Sequence, residues 1–209
     1  MLVSRLVVTV VHVTGMEGQV EVRPATADRF EDVAAILAPK KRDAPVCWCL
    51  SYRVPNAEYR HLVGTSRPER LKEFCRHDPV PGVVAYVDRT PAGWCSFGPR
   101  ASLPRLAHSR TIPVVDDVPV WSVFCFVIRP PFRRMGLSTE LLEGAIEYAQ
   151  EHAVPMLESY PFDSAEGRIS SSFAYVGTTK RFEAAGFYRV CKTSGKTGGL
   201  ARWLMRLEL

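Results

Sequence analysis

The stretch of sequence that decides the fold is residues 128–139, IRPPFRRMGLST. The apolar and β-branched residues before it predict a strand over residues 118–128, which the two prolines end. After Gly136 the apolar residues recur at helical spacing, which predicts a helix. Residues 128–139 are therefore a short strand-to-helix turn that carries arginines and a glycine.

This turn has the physical properties of an anion-binding site. The free N–H groups of the first helical turn and the helix dipole both favour a phosphate group. Gly136 lets the backbone approach a ligand closely, and the small Ser138 does not block it. Arg133 and Arg134 add positive charge that suits a diphosphate. The alternative interpretation is an ordinary strand-to-helix connection.

Strands and helices alternate around this turn in the remaining sequence. Thr26 and Ser66 are predicted to cap two helices, over residues 26–38 and 66–76, and a third helix is predicted over residues 177–185. Residues 98–117 are predicted to form a long loop. Further strands are predicted over residues 20–24, 82–88, 92–97, 156–160, 187–192 and 201–207. This order predicts an α/β architecture with a mixed sheet.

Two motifs resemble the GCN5-related N-acetyltransferase (GNAT) family. The pattern IxPxFRxxGxS of residues 128–138 is similar to the acyl-CoA loop of that family, Arg/Gln-x-x-Gly-x-Gly/Ala. Residues 181–187, RFEAAGF, are similar to its second motif, usually Leu-Tyr-Glu-x-x-Gly-Phe. The regions around residues 47–49 and 158–161 resemble an uncharacterised bacterial branch of the family. The resemblance covers about 190 residues, and its specific motifs lie in the last half of the chain.

The resemblance implies a fold and a co-substrate. The fold is a mixed, mostly antiparallel central sheet with helices on both faces, splayed between two central strands. The co-substrate is acetyl-CoA, whose pantetheine arm would pair like an added strand with the backbone of Phe126, Val127 and Ile128. Its pyrophosphate would be held by the backbone N–H groups of Arg133, Arg134, Met135, Gly136, Leu137, Ser138 and Thr139. A primary amine of a small molecule or a peptide would then attack the thioester directly.

The sequence departs from the family pattern at the positions of the catalytic groups. Phe182 stands where the family often has a tyrosine that protonates the leaving CoA thiolate, and Tyr175 is an alternative acid. The strand predicted over residues 118–128 lacks the carboxylate that often serves as the base. Glu158 is the better candidate, because burial beside the splayed edge raises the basicity of a carboxylate. Tyr160 is expected to share the face of Glu158.

Several other polar residues allow two interpretations. Asp116 and Asp117 would either attract an ammonium substrate or form a solvated turn. Cys125 would either accept the acyl group or act as a small buried hydrophobe. Trp48, Tyr52 and Arg53 would either line the acceptor pocket or pack in the core. The pattern Cys-x-Cys at residues 47–49 is unlike a zinc knuckle, so no metal site is predicted.

The composition limits the classes of protein. The chain has 209 residues, 46% hydrophobic and 23% charged, which is typical of a globular domain. Residues 1–19 are expected to be an N-terminal leader or an extra edge strand before an N-acetyltransferase domain over residues 20–209. The six cysteines and the absence of a convincing secretory signal predict a reduced, cytoplasmic protein. The N-terminal apolar run is too short to span a bilayer, so no membrane partner is expected.

The net charge of +5 permits a polyanionic partner without requiring one. The basic residues form no clear stripe with interleaved aromatic residues, so a nucleic-acid partner is not predicted. The leading hypothesis is an acetyl-CoA-dependent N-acetyltransferase. The alternative is a non-catalytic acyl-CoA-binding regulatory module, which Phe182 favours. A homodimer is one of the oligomeric states that the sequence leaves open.

Overall fold

The computed structural model describes residues 7–13, 16–39, 44, 46–170 and 173–209. Eight strands form one sheet: β1 (Val7–Val13), β2 (Met16–Pro24), β3 (Gly82–Val87), β4 (Thr90–Pro99), β5 (Val120–Ile128), β6 (Met156–Ser159), β7 (Tyr188–Thr197) and β8 (Leu200–Glu208). The α-helices are α1 (Phe30–Leu37), α2 (Asn56–His61), α3 (Ser66–Phe74), α4 (Pro104–Ala107), α5 (Leu137–Glu151) and α6 (Thr179–Ala184).

The sheet is mixed and mostly antiparallel. Its strand order is β1-β2-β3-β4-β5-β6-β8-β7, and only the pair of β5 with β6 is parallel. The β5–β6 pairing covers four positions and ends where Val123 faces Ser159. Because β5 continues to Ile128, the two strands separate beyond this pair. The predicted fold, with its splay between two central strands, is confirmed.

Apolar clusters lie on both faces of the sheet. On one face, α1, α3 and residues 48–54 pack over Trp94, Phe124 and Cys125. On the other face, α5 and α6 pack over Phe97, Val123 and Phe126. We call these the α1 face and the α5 face.

Several helix and strand ends differ from the prediction, because the predicted capping side chains form other hydrogen bonds. Helix α1 begins at Phe30, after a short 3-10 turn, and Thr26 accepts a hydrogen bond from Arg29 Nη1 at 2.6 Å instead of capping. Ser66 is the first residue of α3 and donates to the Val63 carbonyl at 2.7 Å, so the predicted cap at Ser66 is wrong. The predicted loop over residues 98–117 contains α4.

The N-terminal strand β1 pairs with β2 along seven positions at the edge of the sheet. Residues 1–6 and 14–15 lie outside the described residues, and the boundary between a leader and a domain stays a prediction. Within the described part of the chain, no helix has the length and hydropathy needed to cross a membrane.

Candidate acyl-CoA and transfer site

At the turn between β5 and α5, the N–H groups of Arg133 and Thr139 donate to the carbonyls of Pro130 and Gly136, at 3.3 and 2.7 Å, and the N–H groups between them lie at the N-terminus of α5. Gly136 precedes the helix with φ at +75°, a left-handed conformation that suits glycine, and a Cβ there would meet no atom within 4 Å. Leu137 is buried against Val20, Val87 and Ala92 and anchors the first turn to the sheet. The open space beside Gly136 therefore faces the N-terminus of a 15-residue helix, where an anion is favoured.

Arg133 and Arg134, two of the three arginines of the turn, are both exposed. Arg133 folds back and its Nε donates to the Ile128 carbonyl at 3.2 Å, at the end of β5. Arg134 has a left-handed backbone with φ at +66°, which turns the chain into Gly136. Positive charge thus flanks the helix N-terminus, as a diphosphate requires.

The outer part of β5 has a free side. Beyond the last pair with β6, the structure describes no strand beside Phe126, Val127 and Ile128 on that side. An extended chain can pair with such an edge through backbone hydrogen bonds. Phe126 is buried and makes an edge-to-face contact with Phe182, at 6.1 Å between ring centroids.

A β-bulge lies just before this free edge. Cys125 faces Ser96 while Val123 faces Phe97, so Phe124 is an extra residue in β5. The bulge places both Phe124 and Cys125 on the α1 face, where strict alternation would separate them. The bulge therefore changes which face the side chains of β5 point to, next to the point where β5 and β6 separate.

Cys125 is a packed thiol. Its Sγ lies 3.4 Å from Cys49 Sγ, and Trp94 Nε1 donates to Cys49 Sγ at 3.2 Å. The contact with Cys125 and complete burial raise the pKa of Cys49. Such surroundings suit small hydrophobes better than nucleophiles. All six cysteines are free thiols, and among the described residues no three His, Cys, Asp or Glu side chains converge as metal ligands.

Glu158 lies fully buried in an ion-pair network on the α1 face. It pairs with Arg100 and accepts a hydrogen bond from Arg206 Nε at 3.0 Å. Both arginines are nearly fully buried, so the three charged groups form a network inside the protein. Arg206 also binds both carboxylate oxygens of Asp116, whose pKa is lowered by these hydrogen bonds. Asp116 is therefore engaged by an arginine.

Tyr160 connects this network to β5. Its hydroxyl donates to Glu158 Oε1 at 2.5 Å, lies 2.8 Å from Ser122 Oγ, and accepts from Arg100 Nη1 at 3.0 Å. Burial, followed by the charge of Glu158, raises the pKa of Tyr160. Glu158 and Tyr160 thus share one face, and their side chains meet directly beside the separation of β5 and β6.

Tyr175 lies in a 3-10 turn that packs against β5. The turn places Tyr175 against the α1-face cluster that contains Cys125, and burial raises the pKa of its hydroxyl. Phe182, by contrast, is fully buried on the α5 face. Tyr175, the alternative acid, and Phe182, at the position of the family tyrosine, therefore lie on opposite faces of the sheet.

Residues 48–53 pack mainly in the core. Trp48 and Arg53 are buried, and Arg53 donates to the Phe97 carbonyl at 2.6 Å, while burial lowers its pKa to about 10. The Tyr52 hydroxyl accepts a hydrogen bond from Arg202 Nη1 at 2.9 Å, and its ring meets Phe124 edge to face.

Three residues around Glu158 were missed in the sequence: Arg100, Arg206 and Ser122. One signal was present for Arg206, because a lone charge interrupts the apolar run WLMRL of β8. No local pattern marks Arg100 or Ser122, since their partners are 58 and 38 residues away along the chain.

The splayed sheet, its free strand edge and the helix N-terminus beside that edge are features that an acyl-CoA-dependent transferase requires. The sequence profile of the acetyltransferase (GNAT) family matches residues 49–164, which is more than half of the chain. The protein therefore belongs to the GNAT family, and acetyl-CoA is its co-substrate. No curated protein matches the sequence.

Solved structures share the fold at low sequence identity. A GNAT-family acetyltransferase from Streptococcus pneumoniae has a TM-score of 0.53 at 14% identity, covering 91% of this chain and 99% of that one. Ribosomal-protein-alanine N-acetyltransferase from Brucella melitensis has a TM-score of 0.52 at 20% identity, covering 90% and 99%. A chain of the NatC complex bound to Gag peptide and CoA has a TM-score of 0.51 at 14% identity, covering 91% and 98%.

Proposed function

We propose that this protein is an N-acetyltransferase that transfers the acetyl group of acetyl-CoA to a primary amine by direct attack on the thioester. One observation carries the proposal. The free edge of β5 leads from the helix N-terminus at Gly136 to a buried Tyr160–Glu158 pair at the separation of β5 and β6. A thioester laid along this edge reaches proton-accepting groups at its reactive end.

The binding roles follow from the backbone. Phe126, Val127 and Ile128 would pair with the pantetheine amides along the free edge. The pyrophosphate would accept hydrogen bonds from the backbone N–H groups of residues 134–138, since those of Arg133 and Thr139 already donate to carbonyls of the turn, and Arg133 and Arg134 would provide charge. We assign this role to the domain over residues 20–209.

Chemistry requires removal of one proton from the attacking amine. In the proposed reaction, the nitrogen–carbon bond forms as the carbon–sulfur bond breaks, and the electron pair leaves with the sulfur. The Tyr160 hydroxyl would take the amine proton as it passes its own proton to Glu158. Glu158 also lines a cavity of about 420 Å³ with Asp116 and Arg206, which gives the proton a route to solvent.

The acceptor is a primary amine of a small molecule or a peptide, in a cytoplasmic setting. The NatC structure and the ribosomal-protein-alanine acetyltransferase structure share the fold. Their sequence identities to this chain, 14% and 20%, are too low to assign an acceptor from them. Tyr175 borders the α1 face beside Cys125 and is assigned to the wall of the acceptor cleft, where its hydroxyl is a candidate acid.

Calorimetry tests whether the protein binds CoA. A second assay measures the release of CoA from acetyl-CoA in the presence of a panel of peptide, lysine, polyamine and aminoglycoside amines. Amine-stimulated release above background hydrolysis is expected. Phe182 and the carboxylate-free strand β5 favour a second candidate, a non-catalytic acyl-CoA-binding regulatory module. That candidate predicts CoA binding without stimulation by any amine.

A further inference from the structure

We propose that the Ser159 hydroxyl donates the hydrogen bond that stabilises the departing CoA thiolate, in place of the tyrosine that Phe182 replaces. This inference rests on the proposed function. It concerns one group, the last paired residue of β6, which the transfer mechanism above does not use.

Ser159 lies where β5 and β6 separate. It faces Val123 of β5 across one side and Met205 of β8 across the other. Glu158 and Tyr160 point to the α1 face, so alternation along the strand directs Ser159 to the α5 face. Val123 and Met205 belong to the α5-face cluster, together with Phe126 and Phe182. Ser159 therefore shares the face of the residue that occupies the family tyrosine position.

The Ser159 hydroxyl is fully buried and has no hydrogen-bond partner. Other buried hydroxyls nearby are paired: Ser122 with Tyr160, Ser96 with the Pro81 carbonyl, and Thr193 with the Arg202 carbonyl. A buried donor without an acceptor is unfavourable and uncommon in native proteins. The unpaired hydroxyl of Ser159 is explained if the group that accepts its hydrogen bond belongs to the bound substrate.

The transfer reaction creates an acceptor at this point. When the carbon–sulfur bond breaks, the electron pair remains on the CoA sulfur, which becomes an anion among apolar side chains of the α5 face. Phe182 has no hydrogen to donate, and its ring is enclosed by Phe126 and Phe187. The Ser159 O–H stabilises the thiolate by hydrogen bonding without transferring its own proton, because the amine proton leaves through Tyr160.

The test measures the pKa of the thiol of bound CoA by the ultraviolet absorbance of the thiolate. The wild-type complex is compared with Ser159→Ala, with Ser159→Cys as a nearly isosteric variant that keeps a weak donor. Loss of one hydrogen bond to a charged group is expected to raise the thiol pKa by about one unit in Ser159→Ala, with a smaller increase in Ser159→Cys. Ser96→Ala is the matched control, since Ser96 is equally buried on β4 but already has a partner, and no change is expected.

Turnover provides the second measurement. Ser159→Ala is expected to lower kcat by about 10- to 100-fold while the KM for acetyl-CoA stays within about twofold, because the bond forms as the charge develops. If the wild type does not bind CoA, the proposed function itself fails. If it binds CoA and Ser159→Ala leaves the thiol pKa and kcat unchanged, or Tyr175→Phe alone shifts them, the assignment of Ser159 is overturned.

Discussion

Replacing Glu158 with glutamine separates its structural role from its role in proton transfer. The substitution keeps the size of the side chain and removes its charge. Arg100 and Arg206 then lose the carboxylate between them, and Arg100 has no second carboxylate partner among the described residues. Breaking a buried ion pair costs about 3–5 kcal/mol, because one charge is left uncompensated. The amide oxygen still accepts one hydrogen bond, so we expect about 3 kcal/mol.

This loss is measurable by urea unfolding and by calorimetry. For a chain of this size, 1 kcal/mol lowers Tm by about 2–4 °C, so Glu158→Gln is expected to lower Tm by about 6–12 °C. The double variant Glu158→Gln/Arg100→Met also removes the stranded cation, and we expect it to be less destabilised than the sum of the single variants. Additive effects of the two changes would show that the ion pair contributes no coupling.

Turnover at a temperature well below the lowered Tm completes this prediction. A base role predicts that Glu158→Gln loses at least about 100-fold in turnover even while it is fully folded. A destabilised variant with unchanged turnover would remove Glu158 as the proton acceptor and leave it as a structural anion. An unchanged Tm with lost turnover would instead refute the reasoning from the buried charges.

Three other changes test separate parts of the structure. Gly136→Ala places a side chain at φ +75°, which costs about 1–2 kcal/mol, and calorimetry should show weaker CoA binding; an unchanged affinity would contradict the placement of the pyrophosphate. Hydrogen bonds from His152 and then from Tyr148 lower the pKa of Asp78 in the folded protein. The ionised Asp78 therefore stabilises the fold at a pH above its unfolded-state pKa, and this contribution is lost as the pH falls below about 4. Asp78→Asn should flatten the acid limb of a plot of Tm against pH, and a plot parallel to that of the wild type would contradict this prediction. Deletion of residues 1–15 removes the strand paired with β2 and should lower Tm, whereas an unchanged Tm would support a dispensable leader.

Local patterns explain why the turn after β5 could be predicted from the sequence. The apolar run of β5, its terminal prolines and the apolar stripe of α5 are all encoded within about 30 residues. Strand β7 shows where such patterns fail. Its predicted end was residue 192, because apolar alternation stops there, but backbone pairing with β8 carries it to Thr197. Helix α2 was missed because its six residues bury none of their side chains and so leave no apolar stripe.

The candidate site also has a part that follows from local sequence patterns and a part that depends on distant contacts. The turn that we propose for acyl-CoA is a contiguous motif, so a sequence pattern is enough to predict its residues. The surroundings of Glu158 come from three distant segments, and no spacing rule brings Arg100 and Arg206 to its carboxylate or Ser122 to the neighbouring Tyr160 hydroxyl. Burial of Glu158 was a reasonable expectation from its apolar strand, whereas the approach of Arg206 depends on the register of β8 against β6 and that of Arg100 on the 3-10 turn after β4.

The positions of the arginines show how much of the excess positive charge is available at the surface. Arg53 and Arg202 are buried and donate to carbonyl and hydroxyl groups, and neither has a carboxylate partner among the described residues. Part of the net charge of +5 is therefore inside the protein, where a nucleic acid cannot reach it. Arg133 and Arg134 are exposed instead, beside the N-terminus of α5. Because charge at the surface sets attraction to polyanions, this exposed pair beside a helix N-terminus gives the turn a local attraction of a size that suits a diphosphate.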